Sequence, residues 1–192
     1  MKTYRSGGSR KTIARLLALL LIVAGIALIG YSLLIRDPLG VAAIFGPDAP
    51  NDATMTLTVP EMSRVEDVPV YDGPASDTAA LHDGALHVNQ TGFPWQNGSN
   101  VFIAGHRLGF PATKSYLVFW DLNKLENGDE IILTDANGTN YTYSVFKEFV
   151  VNPNETQVMQ PVPGSSIVSL QTCTLPDYSQ RLIVQAELTS VA

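Results

Sequence analysis

Short runs in which polar and apolar residues alternate recur from residue 56 to the end of the chain, with turn residues between them. Alternation is typical of strands with one buried face, because successive side chains of a strand point to opposite sides. Together with a compact apolar run at residues 100–104, this pattern predicts eight strands, at residues 56–59, 65–71, 85–88, 100–104, 129–134, 140–151, 166–172 and 181–188. Many short strands at regular spacing indicate a mainly β domain, either an antiparallel β-barrel or a β-sandwich.

Turn and helix signals add detail to this pattern. Asn137-Gly138 favours a tight hairpin between the fifth and sixth strands. Pro69 has no main-chain N–H to donate, which favours an edge position for the second strand. Helical signals are few: short segments are predicted at residues 77–81 with Asp77 as the cap, at 116–125, and at 154–159 with Asn152 or Asn154 as the cap.

A different pattern precedes the strands. The twenty residues from Leu16 to Ile35 carry no charge, and as a helix they would span about 30 Å, the thickness of the hydrocarbon core of a membrane. No polar face interrupts the run, which argues against a buried core helix. The alternative is a cleaved signal peptide, whose apolar region is usually shorter and ends in small residues. The length of the run and its end at Leu34-Ile35-Arg36 favour an uncleaved anchor.

Charge gives the anchor a direction and excludes one class of partner. Five basic residues and no acidic residue lie in residues 1–35, all ahead of the apolar run. The positive-inside rule therefore predicts a single-pass protein of the cell membrane, with a cytoplasmic tail (1–15), a transmembrane signal-anchor helix (16–35), a juxtamembrane linker (36–55) and an extracellular β-domain (56–192). Residues 36–192 hold seven basic and eighteen acidic residues, which argues against a nucleic-acid partner.

Cys173 is the only cysteine of the chain, so it cannot form an intramolecular disulfide or a site with several thiolate ligands. In an extracellular domain an unpaired thiol is either buried and inert or kept for its reactivity. A thiol is mostly protonated at neutral pH, and a neighbouring positive charge favours the nucleophilic thiolate. Arg181 carries such a charge permanently, and His106 carries it when protonated.

The predicted strands bring these three residues to strand ends. Cys173 follows the seventh strand and Arg181 begins the eighth, so in an antiparallel pair both lie at the same rim, roughly 5 Å apart. His106 follows the strand at residues 100–104 and projects from a strand end as well. Each residue also has an ordinary alternative, as a buried cysteine, a satisfied histidine or a solvated arginine. The residues that flank them distinguish these alternatives.

The flanking sequence resembles that of sortases, the cysteine transpeptidases of Gram-positive cell surfaces. Sortases carry a Thr-Leu-x-Thr-Cys motif, and residues 169–173 read Ser-Leu-Gln-Thr-Cys, with a conservative departure at Ser169. Sortases place an arginine at the start of the last strand, as Arg181 is here, and a histidine in an Ala-Gly-His context, as in residues 104–106. The resemblance covers about residues 56–190 and implies a single eight-stranded sortase-like β-barrel with a few short helices.

The resemblance also implies a mechanism. Cys173 attacks a peptide carbonyl in the C-terminal sorting signal of a secreted surface protein, an LPxTG-like motif, and forms a thioacyl-enzyme. His106 acts as general acid and then as general base, and Arg181 stabilises the oxyanion or the substrate. An amine acceptor, such as a cell-wall precursor or a pilin lysine, then resolves the thioester. Contact with the sorting signal is predicted for His87, Thr172, Leu175 and Tyr178.

Two further sequence features bear on the subclass. No cofactor or metal is expected, because the acidic group formed by Glu61, Glu66 and Asp67 is typical of a solvated surface. Residues 37–39 read Asp-Pro-Leu, similar to the plug motif of pilus-building sortases, but their place directly after the predicted span favours a linker. The sequence therefore favours a housekeeping or sporulation-type sortase, of the actinobacterial class E kind.

Two other hypotheses remain open at this stage. The chain can be a membrane-anchored, non-catalytic β-domain that binds a surface partner, in which case Cys173 is inert. It can also be a hydrolase that uses the same three residues and releases the peptide to water. An L,D-transpeptidase is disfavoured, because those enzymes carry His-Gly-Cys near the nucleophile, whereas Gln171-Thr172 precedes Cys173.

Overall fold

The computed structural model describes residue 15, residues 20–25 and residues 49–192. Residues 20–25 are helical, and within the described parts of the chain no helix is both long and apolar enough to cross a membrane. Most of the predicted tail, membrane span and linker lies outside the described residues, so their boundaries stay predictions. Residues 49–192 belong to one compact unit, which is described below.

Eight strands form in residues 49–192, as the alternating pattern predicts. They are β1 (Met55–Thr58), β2 (Val68–Gly73), β3 (Ala85–Val88), β4 (Asn100–Ala104), β5 (Glu130–Asp135), β6 (Asn140–Val151), β7 (Ile167–Cys173) and β8 (Arg181–Val191). The last strand extends three residues beyond the predicted end at residue 188, because Val191 still pairs with Tyr141 of β6. The predicted hairpin turn between β5 and β6 is confirmed, and Gly138 there adopts a φ of 84°, which glycine tolerates without strain.

The strands close into one barrel, in the order β1-β2-β3-β4-β7-β8-β6-β5. β2 pairs with β3 and β4 pairs with β7 in parallel, whereas the other six interfaces are antiparallel. A purely antiparallel barrel is therefore wrong at two interfaces. Parallel neighbours need a crossover connection: a short helix lies between β2 and β3, and the β5–β6 hairpin lies between β4 and β7. Alternation along the sequence indicates strands, but it does not indicate which of them are neighbours.

The edge position predicted from Pro69 is wrong, because β2 has a neighbour on each side. On one side Pro69 lies opposite Thr56 of β1. On the other side the ladder with β3 begins one residue later, where Val70 lies opposite Ala85. Pro69 therefore precedes the β2–β3 ladder, and its missing N–H does not interrupt that ladder.

The short helices are only partly those predicted. α1 (Thr78–Asp83) begins where expected, and the carboxylate of Asp77 accepts hydrogen bonds from the main-chain N–H groups of Ala79 and Ala80, both at 3.1 Å. The predicted helix at 116–125 is reduced to turns and one 3-10 segment (Leu122–Lys124), because Phe119 and Leu122 are drawn into the barrel core.

The predicted segment at 154–159 is a 3-10 helix (Thr156–Met159), and its predicted cap is wrong. Glu155 occupies the cap position, and no side chain forms a capping hydrogen bond there. The carboxylate of Glu155 instead accepts a hydrogen bond from the main-chain N–H of Asn152 at 2.6 Å. This acidic residue closes the turn that leads out of β6.

The barrel buries apolar residues on both faces. Alternate residues of the strands, such as Ile103, Leu170 and Val184, fill the interior. A smaller cluster lies on the outer face, where residues of four strands pack against the loop that follows β6: Val88, Phe102, Val151, Ile183, Phe149, Val158 and Met159. This loop, residues 152–166, is called the β6–β7 connection below. It covers part of the outer face near the strand ends at which the predicted site residues lie.

Candidate active site

Two parallel strands end at the predicted site. β4 and β7 run side by side with Ala104 opposite Gln171. The main-chain N–H of Gly105 donates to the carbonyl oxygen of Gln171 at 2.9 Å, which extends the pairing one step beyond β4. His106 and Cys173 each lie two residues after that pair. Because side chains alternate along strands about 5 Å apart, both residues belong to the outer face at one rim of the barrel.

Arg181 lies directly opposite Cys173 in the antiparallel pair of β7 and β8. Directly opposed residues of antiparallel strands place their side chains on the same face, with Cβ atoms about 5 Å apart. The Nη1 atom of Arg181 donates to the carbonyl oxygens of Tyr178 at 3.1 Å and Gln180 at 3.0 Å. These bonds hold the guanidinium at the loop that joins β7 to β8, which begins directly after Cys173.

Thr172 holds the two strand ends together and faces the barrel interior. Its hydroxyl donates to the carbonyl oxygen of Gly105 at 2.8 Å, and Thr172 is only 2% exposed. A residue buried on the inner face cannot contact a peptide bound outside, so the prediction that Thr172 contacts the substrate is wrong. Its structural role is to fix the spacing between His106 and Cys173, each of which directly follows one of the bonded residues.

Cys173 and His106 share a cavity of about 330 Å³. The rest of its lining comes from the loop after His106 and from the β7–β8 loop: Arg107, Leu108, Gly109, Phe110 and Tyr178. Cys173 is half-buried, so its sulfur is neither sealed in the core nor fully solvated. Phe110 is 64% exposed and Tyr178 42%, which leaves an apolar rim open beside the sulfur.

The imidazole ring of His106 is enclosed by three neighbours. The ring of His82, on α1, stacks on it with 6.1 Å between centroids, and Phe110 meets it edge-on at 6.4 Å. Gly109 closes another side: a Cβ atom there would lie 2.7 Å from the ring, so a larger residue would displace it. Among the described residues, the buried Nε2 of His106 has no hydrogen-bond partner.

This environment lowers the pKa of His106 from its ordinary 6.5, first because burial disfavours the charged ring and second because His82 repels it when protonated. The unfolded chain therefore binds more protons between the lowered value and 6.5. The contribution of His106 to stability is present above pH 6.5 and is lost as the pH falls through the folded-state value. At neutral pH the neutral imidazole predominates.

Replacing His82 with phenylalanine is expected to raise the pKa of His106 toward 6.5. Phenylalanine keeps an aromatic ring against His106 but cannot carry the charge that repels it, whereas burial, the larger cause, remains. The chain has three histidines, so an NMR titration of the imidazole Cε1 protons resolves them. Phe110→Leu, which removes a ring but no charge, is the control. An unchanged or lower pKa of His106 in His82→Phe would contradict the assignment.

A second cavity, of about 180 Å³, lies on the outer face beside Arg181. Leu86, Val88, Phe102 and Ala104 of β3 and β4 form one side, and the β6–β7 connection forms the other with residues that include Thr156, Val158 and Met159. Gln171 and Arg181 also line it. We call this cavity the apolar groove. Because Arg181 pairs with Cys173, the groove lies next to the residue pair at the rim.

The other predicted contacts divide between exposed and buried positions. Tyr178 lines the cavity of Cys173, and Leu175 is half-buried in the same loop. His87 is fully buried, with Nδ1 2.7 Å from Asp72 Oδ1 and Nε2 3.0 Å from the carbonyl oxygen of Gly92. The prediction that His87 contacts the sorting signal is therefore wrong, because both ring nitrogens are engaged inside the protein.

Two features away from the rim complete the description. In the portion of the chain that the structure describes, no group of three or more His, Cys, Asp or Glu residues is arranged to hold a metal ion. A cavity of about 500 Å³ lies between β2 and residues 114–118, lined by residues that include Arg64, Tyr71 and Tyr116. It contains none of the three residues at the rim, so its larger volume does not make it the candidate active site.

Comparison with known proteins identifies relatives in sequence. Residues 57–189 match the family model described as "Sortase domain". The chain is similar to sortase A of Streptococcus agalactiae serotype III (strain NEM316), with 30% identity over 122 residues. That match covers 63% of this chain and 47% of the relative. The chain therefore spans about half the length of this relative.

Solved structures give the same result. The chain is similar to a lid mutant of sortase A from Corynebacterium diphtheriae, with a TM-score of 0.64 and 27% identity over 76% of this chain and 74% of that chain. It is also similar to sortase C-1 from Actinomyces oris, with a TM-score of 0.63 and 29% identity over 73% of this chain and 76% of that chain. Since the family match extends over more than half of the chain, the chain belongs to the sortase family.

Proposed function

We propose that this chain is a cysteine transpeptidase that cleaves an LPxTG-like C-terminal sorting signal and transfers the cleaved protein to an amine acceptor. The observation that carries the proposal is the position of Cys173, directly opposite Arg181 and in one cavity with His106. A non-catalytic β-domain would require an inert, buried sulfur, and Cys173 is only half-buried. Family membership adds independent support.

In the acylation step the thiolate of Cys173 attacks the carbonyl carbon of the scissile peptide bond. The carbonyl electron pair moves to the oxygen, and the guanidinium of Arg181 stabilises the resulting oxyanion. Arg181 has five N–H donors, so the bonds from Nη1 to the two loop carbonyls leave others for the substrate. As the C–N bond breaks, His106 as imidazolium donates its proton to the departing amine, and a thioester remains on Cys173.

In the second step an amine replaces the thiol. Neutral His106 accepts a proton from the acceptor amine, whose nitrogen attacks the thioester carbon. The C–S bond breaks, a new amide forms, and Cys173 leaves as a thiolate. The lowered pKa of His106 favours the neutral base that this step needs and limits the imidazolium that acylation needs. The burial of the ring is therefore expected to slow acylation relative to aminolysis at neutral pH.

The apolar groove suits the peptide substrate. Its sides are mostly aliphatic or aromatic, with Leu86, Phe102 and Met159 among them. An extended peptide advances about 3.3 Å per residue, so a few residues ahead of the scissile bond would lie along the groove while the scissile carbonyl reaches Cys173. Leucine and proline at those positions would bury apolar surface there.

We further propose that residues 16–35 anchor the chain in the cell membrane, with residues 56–192 outside. The support is the uncharged run, with five basic residues ahead of it and Arg36 alone directly after it. The acceptor would then be an amine at the cell surface, such as a cell-wall precursor or a pilin lysine. Protease added to intact cells should digest residues 56–192, and protection of this domain until the cells are lysed would contradict the orientation.

A nucleophilic amine is expected to divert the reaction from hydrolysis to ligation. The full-length chain is incubated with an LPxTG-type peptide, with and without a short glycine peptide as acceptor, and products are separated by mass. Because a thioester reacts with a positioned amine faster than with water, the ligated product should exceed the hydrolysed one at millimolar acceptor. Cleavage with hydrolysed product alone, at every acceptor concentration, would identify a hydrolase instead.

A further inference from the structure

A chain of buried polar side chains connects three neighbouring strands to the β6–β7 connection. On the outer face of the barrel, Gln185 of β8 donates from Nε2 to the hydroxyl of Ser169 at 3.1 Å, and that hydroxyl donates to Asn100 Oδ1 at 2.8 Å. The exposed fractions of Asn100, Ser169 and Gln185 are 1%, 0% and 7%. Burial of unpaired polar groups is costly, so a network of this kind persists only where its partners are in place.

Asn100 is the member of this network that reaches the connection. Its Nδ2 donates to the main-chain carbonyl oxygens of Val158 at 2.9 Å and Gln160 at 3.1 Å. Both amide protons and the amide oxygen are thereby engaged, which fixes the orientation of the side chain. With the amide reversed, Oδ1 would face two carbonyl oxygens, and both bonds to the connection would be lost.

One bonded carbonyl belongs to Val158, a residue of the groove wall, and the other to Gln160, which directly follows the wall residue Met159. Val158 and Met159 line the groove opposite Phe102, at the end of the 3-10 helix. Hydrogen bonds inside the connection join residues only two or three positions apart, such as Gln157 with Gln160. Local bonds of this kind shape a turn but do not attach it to the barrel. Ser166, the last residue of the connection, accepts hydrogen bonds from Gly98 and Leu188. The stretch that lines the groove is bonded by Asn100, which lies 58 and 60 positions from its two partners.

Asn100 acts at a distance from the reacting atoms. It lies opposite Ile167 in the β4–β7 pair, six residues before Cys173 on a strand that rises about 3.3 Å per residue. The separation along the strand is therefore about 20 Å. An effect of Asn100 on the reaction must consequently arise through the groove wall and not through contact with the thiolate, the imidazole or the scissile bond.

We propose that Asn100 is a positioning residue that holds the β6–β7 connection in place as a preformed wall of the peptide groove. The proposal rests on the proposed function, since it assigns the groove to the sorting-signal peptide. A wall held by two buried hydrogen bonds need not be ordered by the substrate, so the peptide does not lose binding free energy to that ordering. Without the bonds, the wall keeps the apolar packing of Val158 and Met159 but becomes more mobile, so peptide binding must order it.

The test compares four variants of the full-length chain with the wild type. Asn100→Asp keeps the size and the acceptor oxygen but removes the two donors. Asn100→Ala removes the whole amide, and Ser169→Ala removes the hydroxyl that braces it. Gln160→Ala is the matched control, because Asn100 bonds the main-chain carbonyl of that exposed residue and not its side chain.

Four quantities are measured: hydrogen exchange of the main-chain amides in residues 154–164, kcat for the sorting-signal peptide, KM for the same peptide, and the rate of Cys173 alkylation by iodoacetamide. In Asn100→Asp and Asn100→Ala we expect exchange in this segment and KM to rise about tenfold, as two buried hydrogen bonds are lost. We expect kcat and alkylation to stay within about threefold, because the rim is unchanged. Ser169→Ala should give a smaller change of the same kind, and Gln160→Ala none.

The proposal would be overturned if amide exchange in residues 154–164 and KM in Asn100→Asp equalled the wild-type values. A loss confined to kcat would also overturn it. If Asn100→Ala does not fold, Ser169→Ala and Asn100→Asp still decide the matter. Ser169→Ala keeps the amide of Asn100, and Asn100→Asp keeps a side chain of the same size. Failure of the wild-type chain to cleave the peptide would contradict the proposed function instead. The exchange rates would then still decide whether Asn100 holds the connection.

Discussion

Replacement of Cys173 with alanine is expected to abolish cleavage of the sorting-signal peptide, with a loss in kcat/KM of roughly 10⁴-fold or more. The chain has no second cysteine, so no other thiol can form the thioacyl intermediate. Arg181 and His106 remain in Cys173→Ala, but without the sulfur they have no covalent intermediate to stabilise or protonate. The measurement is a continuous assay with a quenched fluorescent peptide and the full-length chain.

The same variant should leave the fold intact. Cys173 is half-buried at the end of β7, so loss of its sulfur leaves no large cavity in the core and is expected to lower stability by about 1 kcal/mol or less. The melting temperature and the circular dichroism spectrum are therefore the controls. Cleavage by Cys173→Ala within tenfold of the wild-type rate, with these controls unchanged, would rule out Cys173 as the nucleophile.

Replacement of His106 with alanine is expected to lower kcat/KM by roughly 10²–10⁴-fold, the usual contribution of a general acid–base group. His106 is the histidine that lines the cavity of Cys173, whereas His87 is buried with both nitrogens engaged. The truncated side chain leaves space in a cavity of about 330 Å³. Added imidazole can enter that space, so partial recovery of cleavage with increasing imidazole is expected.

Alkylation of Cys173 supplies the control for this variant, since iodoacetamide needs an accessible thiolate but no proton transfer from His106, and Arg181 still favours the thiolate. His106→Ala should still be alkylated, which would show that the rim is folded and open while the proton transfer is missing. Cleavage within about threefold of the wild type would contradict the assigned role of His106, because a general acid–base group contributes much more than this.

The fold was predictable to the extent that each strand carries its own signal. Alternation and turn residues indicate the eight strands, and Asp77 marks the start of α1 because its carboxylate satisfies N–H groups within the same turn. The parallel pairing of β4 with β7 was not predictable in this way. It joins residues about 67 positions apart, and register between distant strands is set by packing of the whole barrel.

The residues of the candidate site also differ in how far local sequence predicts them. Cys173, Arg181 and His106 were predicted from the short motifs that flank them and from their places at strand ends, and both are local features of the sequence. Thr172 was misjudged, since its position next to the nucleophile does not reveal that it faces the interior. His82 was missed for another reason: it reaches His106 from α1, 24 positions away in the chain, and only the packing of rings brings the two together.

The burial and the long-range hydrogen bonds of Asn100 are not indicated by the sequence pattern. Asn100 stands at the start of a strand, where a polar residue is usually read as the solvated end of the element. Its amide is instead almost wholly buried and joins β4 to the β6–β7 connection. Polar residues buried for such long-range bonds carry no local periodic signal, so their roles emerge only from coordinates.

The most direct test of Cys173 as the nucleophile is the mass of the fragment that contains it during turnover. The full-length chain is mixed with an LPxTG-type peptide, quenched in acid within seconds and digested, and the fragment that contains Cys173 is weighed. If Cys173 is the nucleophile, this fragment gains the mass of the peptide up to the scissile bond, and the gain disappears when a glycine peptide is added before the quench. A peptide cleaved with no acyl group on Cys173 at any time, or no cleavage at all, would contradict this role.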